Sequence, residues 1–127
     1  MKRNVFDSFF EPKSVTVFGS IKPGKIGYEI TKSMKDGGFQ GEIYPINPAG
    51  GKVLGYPVYD SLTKAPQKAD LAVICLPQAA VVEAIVHCGM KDVKAAVVIS
   101  SGFSEVGNHE AEKDLVAAAE KWGVRII

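Results

Sequence analysis

Apolar positions in this chain come in short continuous runs, and amphipathic or glycine-rich segments separate them. "SVTVFG" (14–19), "GEIYPIN" (41–47), "ADLAVICLP" (69–77) and "KAAVVIS" (94–100) read as strands, and "GVRII" (123–127) opens a last one. "LGYPVYD" (54–60) is interrupted by proline and is at best an edge strand. Helical spacing follows the first run, with Ile26, Ile30 and Met34 on one face and Gly37-Gly38 as the stop. A second helix is expected around Ala79 to Cys88. A third has Asn108 as its N-cap, Glu110 and Glu112 in its first turn, and Ala111, Leu115, Ala118 and Trp122 facing inward.

Strands that are apolar throughout do not alternate between core and water, so both of their faces are covered. With helices between them, they predict a parallel sheet in a doubly wound α/β domain. Ligands of such sheets sit outside the carboxyl ends of the strands, where the strand order reverses. That rule nominates four places: the loop after Gly19, the turn at Asn47-Pro48, the turn at Leu76-Pro77 and the turn at Ser100-Ser101-Gly102.

A length of 127 residues is one domain with a real core, and 46% hydrophobic with 23% charged residues is ordinary for a globular chain. No apolar run is long enough to cross a bilayer, and Asp7 breaks the signal-peptide pattern of the first ten residues. A cytoplasmic chain without a membrane or nucleic-acid partner is therefore expected, since the net charge is only +1. The charge is uneven, however. Residues 1–64 hold nine Lys/Arg against six Asp/Glu, and residues 65–127 hold six against eight, so the first half suits an anionic ligand better. Cys75 and Cys88 have no metal-ligand or CxxC spacing, and Cys75, inside an apolar strand, reads as a small buried thiol.

The loop "GSIKPGKIG" (19–27) nearly matches two phosphate-binding fingerprints. As a P-loop it has Gly19, Gly24 and Lys25, but Ile26 stands where magnesium needs a hydroxyl, and neither "LAVICLP" nor "AAVVISSG" ends in the required Asp. As a dinucleotide loop it has Ile21 where the second glycine belongs. The second strand ends in Asn47, not in the acid that holds the ribose diol of NAD. A neutral amide there, with Lys52 close behind, admits a phosphate on the ribose. NADP and coenzyme A both carry one. Lys22 and Lys25, beside a helix start whose free N–H groups favour anions, fit a phosphate better than they fit a bare turn. Ser100-Ser101-Gly102 lacks the G-x-S-x-G elbow of a nucleophilic serine. His87, near a helix end, and His109, in a first helical turn, have no Asp and Ser partners in the sequence that would make a triad, and Glu105 reads as a surface carboxylate.

"FFEPKSVTVFGS", "YPINP", "GYPVYDSL", "DLAVICLP" and "KAAVVISSGFSEVG", in that order, resemble the N-terminal domain of the NDP-forming acyl-CoA synthetases over almost the whole chain. That family's domain is a Rossmann-type CoA-binding fold similar to that of the succinyl-CoA synthetase alpha subunit. The resemblance implies a ligand, coenzyme A or acyl-CoA, that needs neither the Walker hydroxyl nor the NAD carboxylate. It implies a phosphate loop at Gly19, Ser20, Lys22, Lys25 and Gly27, and an adenosine-side turn at Asn47, Pro48 and Lys52. Pro77 would line the cleft, and Ser100, Ser101, Gly102 and Phe103 would stand near the pantetheine path. The family's phosphohistidine and ATP-grasp regions have no counterpart here, and neither His87 nor His109 matches that histidine. The chain also stops before the "GPN" that follows the family's last strand. The expectation is thus a single CoA-binding domain, 1–127, excised from a longer synthetase whose other domains or subunits are its partners, with no catalysis of its own. The alternatives are a CoA-sensing domain of a protein acetyltransferase and an NADP-dependent oxidoreductase module; "SSGFSEVG" favours the synthetase or acetyltransferase branch over the stand-alone CoA-binding proteins.

Overall fold

The computed structural model describes residues 5–99 and 109–127. Five parallel strands form one sheet in the order β2-β1-β5-β6-β7: β1 Ser14–Phe18, β2 Glu42–Ile46, β5 Leu71–Ile74, β6 Ala95–Val98 and β7 Arg125–Ile126. Helix α2 (Ile26–Asp36) links β1 to β2, α3 (Gln78–Met90) links β5 to β6, and α4 (His109–Trp122) precedes β7. The path runs outward from β1 to β2, then returns past β1 to β5, so the order reverses at β1.

Alternation along the strands feeds two cores. Val15, Val17, Leu71, Val73 and Ala95 face α2 and a short helix α1 (Val5–Phe10), where Phe9, Ile30 and Met34 cover them. Phe18, Ala72, Ile74 and Ala96 face α3 and α4. Because both faces are covered, the strands read as unbroken apolar runs. Thr16 lies between them, wholly buried, and its hydroxyl donates to the Tyr44 carbonyl at 2.8 Å. The doubly wound α/β expectation is met, with the predicted strands shortened by one to five residues at their ends.

Three local features differ from the sequence reading. Helix α1 is absent from it, because one and a half turns show no period. The expected edge strand at 54–60 is a tight hairpin, β3 (Lys52–Val53) against β4 (Tyr56–Pro57), whose Tyr59 bridges to Ile46 at the sheet edge. Its two turn residues, Leu54 and Gly55, both have positive φ (51° and 88°), the signature of a primed hairpin turn. Leucine is a poor residue there, which hid the turn. Lys35 at the end of α2 holds it from outside, with Nζ 2.8 Å from the Leu54 carbonyl and 5.8 Å from the Tyr56 ring centre. Third, Ile26 does not pack with Ile30 and Met34. It is 55% exposed at the mouth of the glycine loop, and the buried positions of α2 are Gly27 and Thr31. Of the face expected for α4, Leu115 is buried while Trp122 is 37% exposed; Ala119 joins Leu115 in the core. The proposed N-cap Asn108 lies outside the described residues, as does Glu105.

Helices α3 and α4 meet closely where Gly89 faces Trp122, and a Cβ on Gly89 would collide with that side chain. Gly89→Ala should therefore cost about 1 to 3 kcal/mol through overpacking, despite alanine's better helix propensity. Thermal unfolding checks this, and an unchanged or raised Tm would show that the two helices can part freely.

Candidate functional site

Two glycines shape the turn from β1 into α2. Gly19 has φ +152°, and a Cβ there would stand 2.9 Å from the Cys75 carbonyl oxygen at the end of β5. A Cβ on Gly27, one residue into α2, would stand 2.9 Å from the Ser20 carbonyl oxygen. The helix thus rests directly on the loop, and the loop rests on the neighbouring strand. Between them, Lys25 N–H donates to Lys22 O at 3.1 Å with Gly24 at φ +87°, so Lys22-Pro23-Gly24-Lys25 is a β-turn of the proline–glycine kind. The near-match to a P-loop has this turn as its cause. Ser20 Oγ accepts from Lys22 N–H at 3.2 Å, which fixes the start of the turn.

Helix α2 opens at Lys25 without a side-chain cap, and its first internal bond runs from Glu29 N–H to Lys25 O at 2.9 Å. The amides of Ile26, Gly27 and Tyr28 are left for an acceptor from outside the helix. Lys22 and Lys25 are exposed beside them, as is Lys52 on β3, and among the described residues no carboxylate forms an ion pair with any of the three. A helix start with open amides beside ammonium groups is an arrangement whose partial and full positive charges favour an anion. Glu29 reaches back to Gly24 N–H at 3.2 Å, so one loop amide already carries an anionic oxygen.

Asn47 follows β2 and is tied to this loop: its Nδ2 donates to the Gly19 carbonyl at 2.8 Å and its Oδ1 accepts from Ala49 N–H at 2.9 Å. Pro48 is exposed beside it. Pro77 caps the start of α3 at the end of β5, and Ala80 N–H donates to its carbonyl at 2.9 Å. Between these turns lies a cleft of about 230 Å³ with an apolar floor of Phe18, Ile46 and Leu76 and a polar rim of Asp60, Glu83 and His87. The structure therefore brings together Gly19, Ser20, Lys22, Lys25, Gly27, Asn47, Pro48 and Pro77 at the carboxyl ends of β1, β2 and β5, with Lys52 on the adjoining hairpin. Ser100, Ser101, Gly102 and Phe103 lie outside the described residues. Sequence reasoning did not find the cleft floor, since Phe18, Ile46 and Leu76 look like any other strand residue. Nor did it find Asp60, Glu83 and His87 as a rim. His87 stands in the last turn of α3 as expected, and its Nε2 is 3.8 Å from Glu83 Oε1.

A larger cleft of about 510 Å³ lies at the opposite end of the sheet, where Lys94 and Gly123 precede β6 and β7, far from the glycine loop and its cations. No group of three metal-ligating side chains occurs among the described residues, and no described helix is long and apolar enough to cross a membrane. Cys75, read as buried, is partly buried at the end of β5 under the loop, packed against the core on the α2 side, whereas Cys88 is fully buried. Burial pushes the Cys75 thiol up to about 11 and the Cys88 thiol to about 12.

An open parallel sheet with a glycine-shaped strand-to-helix loop at its switch point is the Rossmann-type arrangement. Residues 13–127 match the family model described as CoA binding domain, and the chain belongs to that family. It is 43% identical to Acetate–CoA ligase (ADP-forming) I subunit alpha of Pyrococcus furiosus, over 95% of this chain and 28% of that protein. It is 45% identical to Acetate–CoA ligase (ADP-forming) of Methanocaldococcus jannaschii, over 91% of this chain and 16% of that one. Among solved structures, the apo form of Ca. Korarchaeum cryptofilum dinucleotide forming Acetyl-coenzyme A synthetase 1 superposes with a TM-score of 0.91 at 41% identity, covering 96% of this chain and 27% of that one. The chain thus spans under a third of the length of these relatives.

With thiol pKa values this high, both cysteines are protonated at neutral pH and are weak nucleophiles. Iodoacetamide at pH 8 should label Cys75 slower than free glutathione and leave Cys88 untouched in the folded protein, with the Cys75 rate still rising with pH above 9. Mass spectrometry of labelled peptides checks this. Rapid modification of Cys75 at pH 7 would mean that a cation under the loop stabilises its thiolate.

Proposed function

We propose that this chain binds coenzyme A or acyl-CoA and serves as the CoA-binding domain of an NDP-forming acyl-CoA synthetase of the acetate–CoA ligase kind. The observation that carries the reading is the uncapped start of α2 with Lys22 and Lys25 beside it and, among the described residues, no carboxylate paired to either. The coenzyme's diphosphate fits there: Ile26, Gly27 and Tyr28 donate backbone hydrogen bonds and the two lysines supply charge. Lys52, exposed on the hairpin held by Lys35, is the cation assigned to the ribose 3′-phosphate. The apolar floor of the cleft between Pro48 and α3 suits the adenine face. Gly19, Ser20 and Gly27 shape the loop, and Asn47, Pro48 and Pro77 border it.

The remaining chemistry belongs to other domains or subunits of the synthetase. Holding a thiol in place does not activate an acyl group, so the domain alone forms no acyl-CoA. The reading places the protein in the cytoplasm, where two unpaired cysteines persist as thiols.

Calorimetry with CoA and NADPH tests the ligand class. CoA should bind and NADPH should bind poorly, because the loop lacks the second glycine; tight NADPH binding with no heat from CoA overturns the reading. Lys22→Ala and Lys25→Ala should each weaken CoA by about 1 to 2 kcal/mol with little change in Tm. If both variants bind normally, the loop is only a turn.

The 3′-phosphate gives a finer comparison. Dephospho-CoA should bind about 1 kcal/mol more weakly than CoA, and both added salt and Lys52→Ala should shrink that gap. Equal affinities at low salt would leave the 3′-phosphate in solvent and return Lys52 to a solvated surface charge.

A further inference from the structure

We propose that Asn47 is a positioning residue, a strut that locks the glycine loop after β1 to the turn after β2 and so sets the loop for the coenzyme's diphosphate. The inference rests on the coenzyme A reading above and deepens it, because it assigns Asn47 to the protein's own loop and not to the ribose.

Four groups of Asn47 are bonded to four different residues. Nδ2 donates to Gly19 O at 2.8 Å, Oδ1 accepts from Ala49 N–H at 2.9 Å, the main-chain N–H donates to Tyr59 O at 2.9 Å, and the main-chain carbonyl accepts from Gly50 N–H at 3.0 Å. The amide stands only one way round. Turned over, it would set NH₂ against the Ala49 N–H and oxygen against the Gly19 oxygen. The bond to Gly19 reaches the one residue of the loop whose backbone is fixed by close approach to β5. Gly19 N–H itself makes a longer bond, 3.3 Å to Ile46 O, so the side-chain bond is the tighter of the two ties between loop and β2.

This geometry explains the residue type. An aspartate could accept from Ala49 N–H but, ionised, could not donate to Gly19, and it would set a carboxylate against a carbonyl. A dinucleotide site needs an acid at this position to take the ribose diol. Here the position needs a donor, because the loop has no second glycine of the fingerprint and depends on a side chain to hold its first residue. Choosing the amide therefore excludes the diol contact and sets the loop in one step.

Two variants separate the strut from a ligand contact. Asn47→Ala removes both side-chain bonds. Asn47→Ser keeps an oxygen that can accept from the amide two residues on, but it is too short to reach Gly19. Calorimetry on both, with CoA and dephospho-CoA, should show both ligands weakened by the same factor, about tenfold, leaving the ratio between them at its wild-type value. In ligand-free ¹⁵N spectra, the Ser20, Ile21, Lys22 and Gly24 amides of Asn47→Ser should shift while those of β6 and β7 stay. A CoA to dephospho-CoA ratio that collapses toward one would make Asn47 a contact of the ribose phosphate and overturn the strut. Unchanged affinity for both ligands would overturn it as well. If the wild-type protein binds neither ligand, the coenzyme reading fails separately; the strut then stands or falls on whether those loop amides move in the ligand-free spectra.

Discussion

The carboxyl end of this sheet depends on backbone packed against backbone where two side chains are missing. At Gly19 the loop lies on β5, and at Gly27 helix α2 lies on the loop, each within 2.9 Å of where a Cβ would stand. A larger residue at Gly19 would push the loop off β5, and one at Gly27 would push the start of α2 off the loop. The rest of the site follows from that contact. The helix start is left without a side-chain cap, the Lys22–Lys25 turn projects two ammonium groups beside it, and Asn47 ties the same loop to the neighbouring strand. Crossovers on both sides of β1 then leave room at the switch point for the cleft between Pro48 and α3.

The positive charge near the loop is small and local. Lys22, Lys25 and Lys52 lie at one end of the molecule, while carboxylates elsewhere engage other lysines. Asp92, for example, sits between Lys68 and Lys94 at 3.2 and 2.8 Å, and those two ammonium groups hold its carboxyl below the ordinary carboxylate range. A net charge of +1 for the whole chain therefore understates what an anion meets at α2. Family membership and this local charge both support the phosphate-bearing coenzyme proposed above, and the Asn47 geometry speaks against one held through a ribose diol.

Much of this was legible in the order of residues. Continuous apolar runs separated by amphipathic ones leave few arrangements other than a covered parallel sheet, and a glycine-rich loop after the first strand marks its ligand end. What escaped the sequence depends on partners distant along the chain. The hairpin at Leu54-Gly55 has no asparagine to announce it and is held by Lys35, nineteen residues earlier. Ile26 keeps helical spacing with Ile30 yet faces water, because close packing at Gly27 sets where α2 starts. The cleft floor of Phe18, Ile46 and Leu76 is built from strand ends on three separate strands or their flanks, which periodicity cannot single out. Asn47 drew notice for the acid it is not; its four bonds show the role it has within the protein.

In the proposed complex the coenzyme's diphosphate sits on the start of α2. A ¹⁵N-labelled titration with CoA tests it residue by residue. The largest shifts should fall at Gly24 to Tyr28, with smaller ones at Asn47 and around Phe18 and Leu76, and none at the cleft by Lys94 and Gly123. Shifts centred on that second cleft, with the α2 amides unmoved, would contradict it.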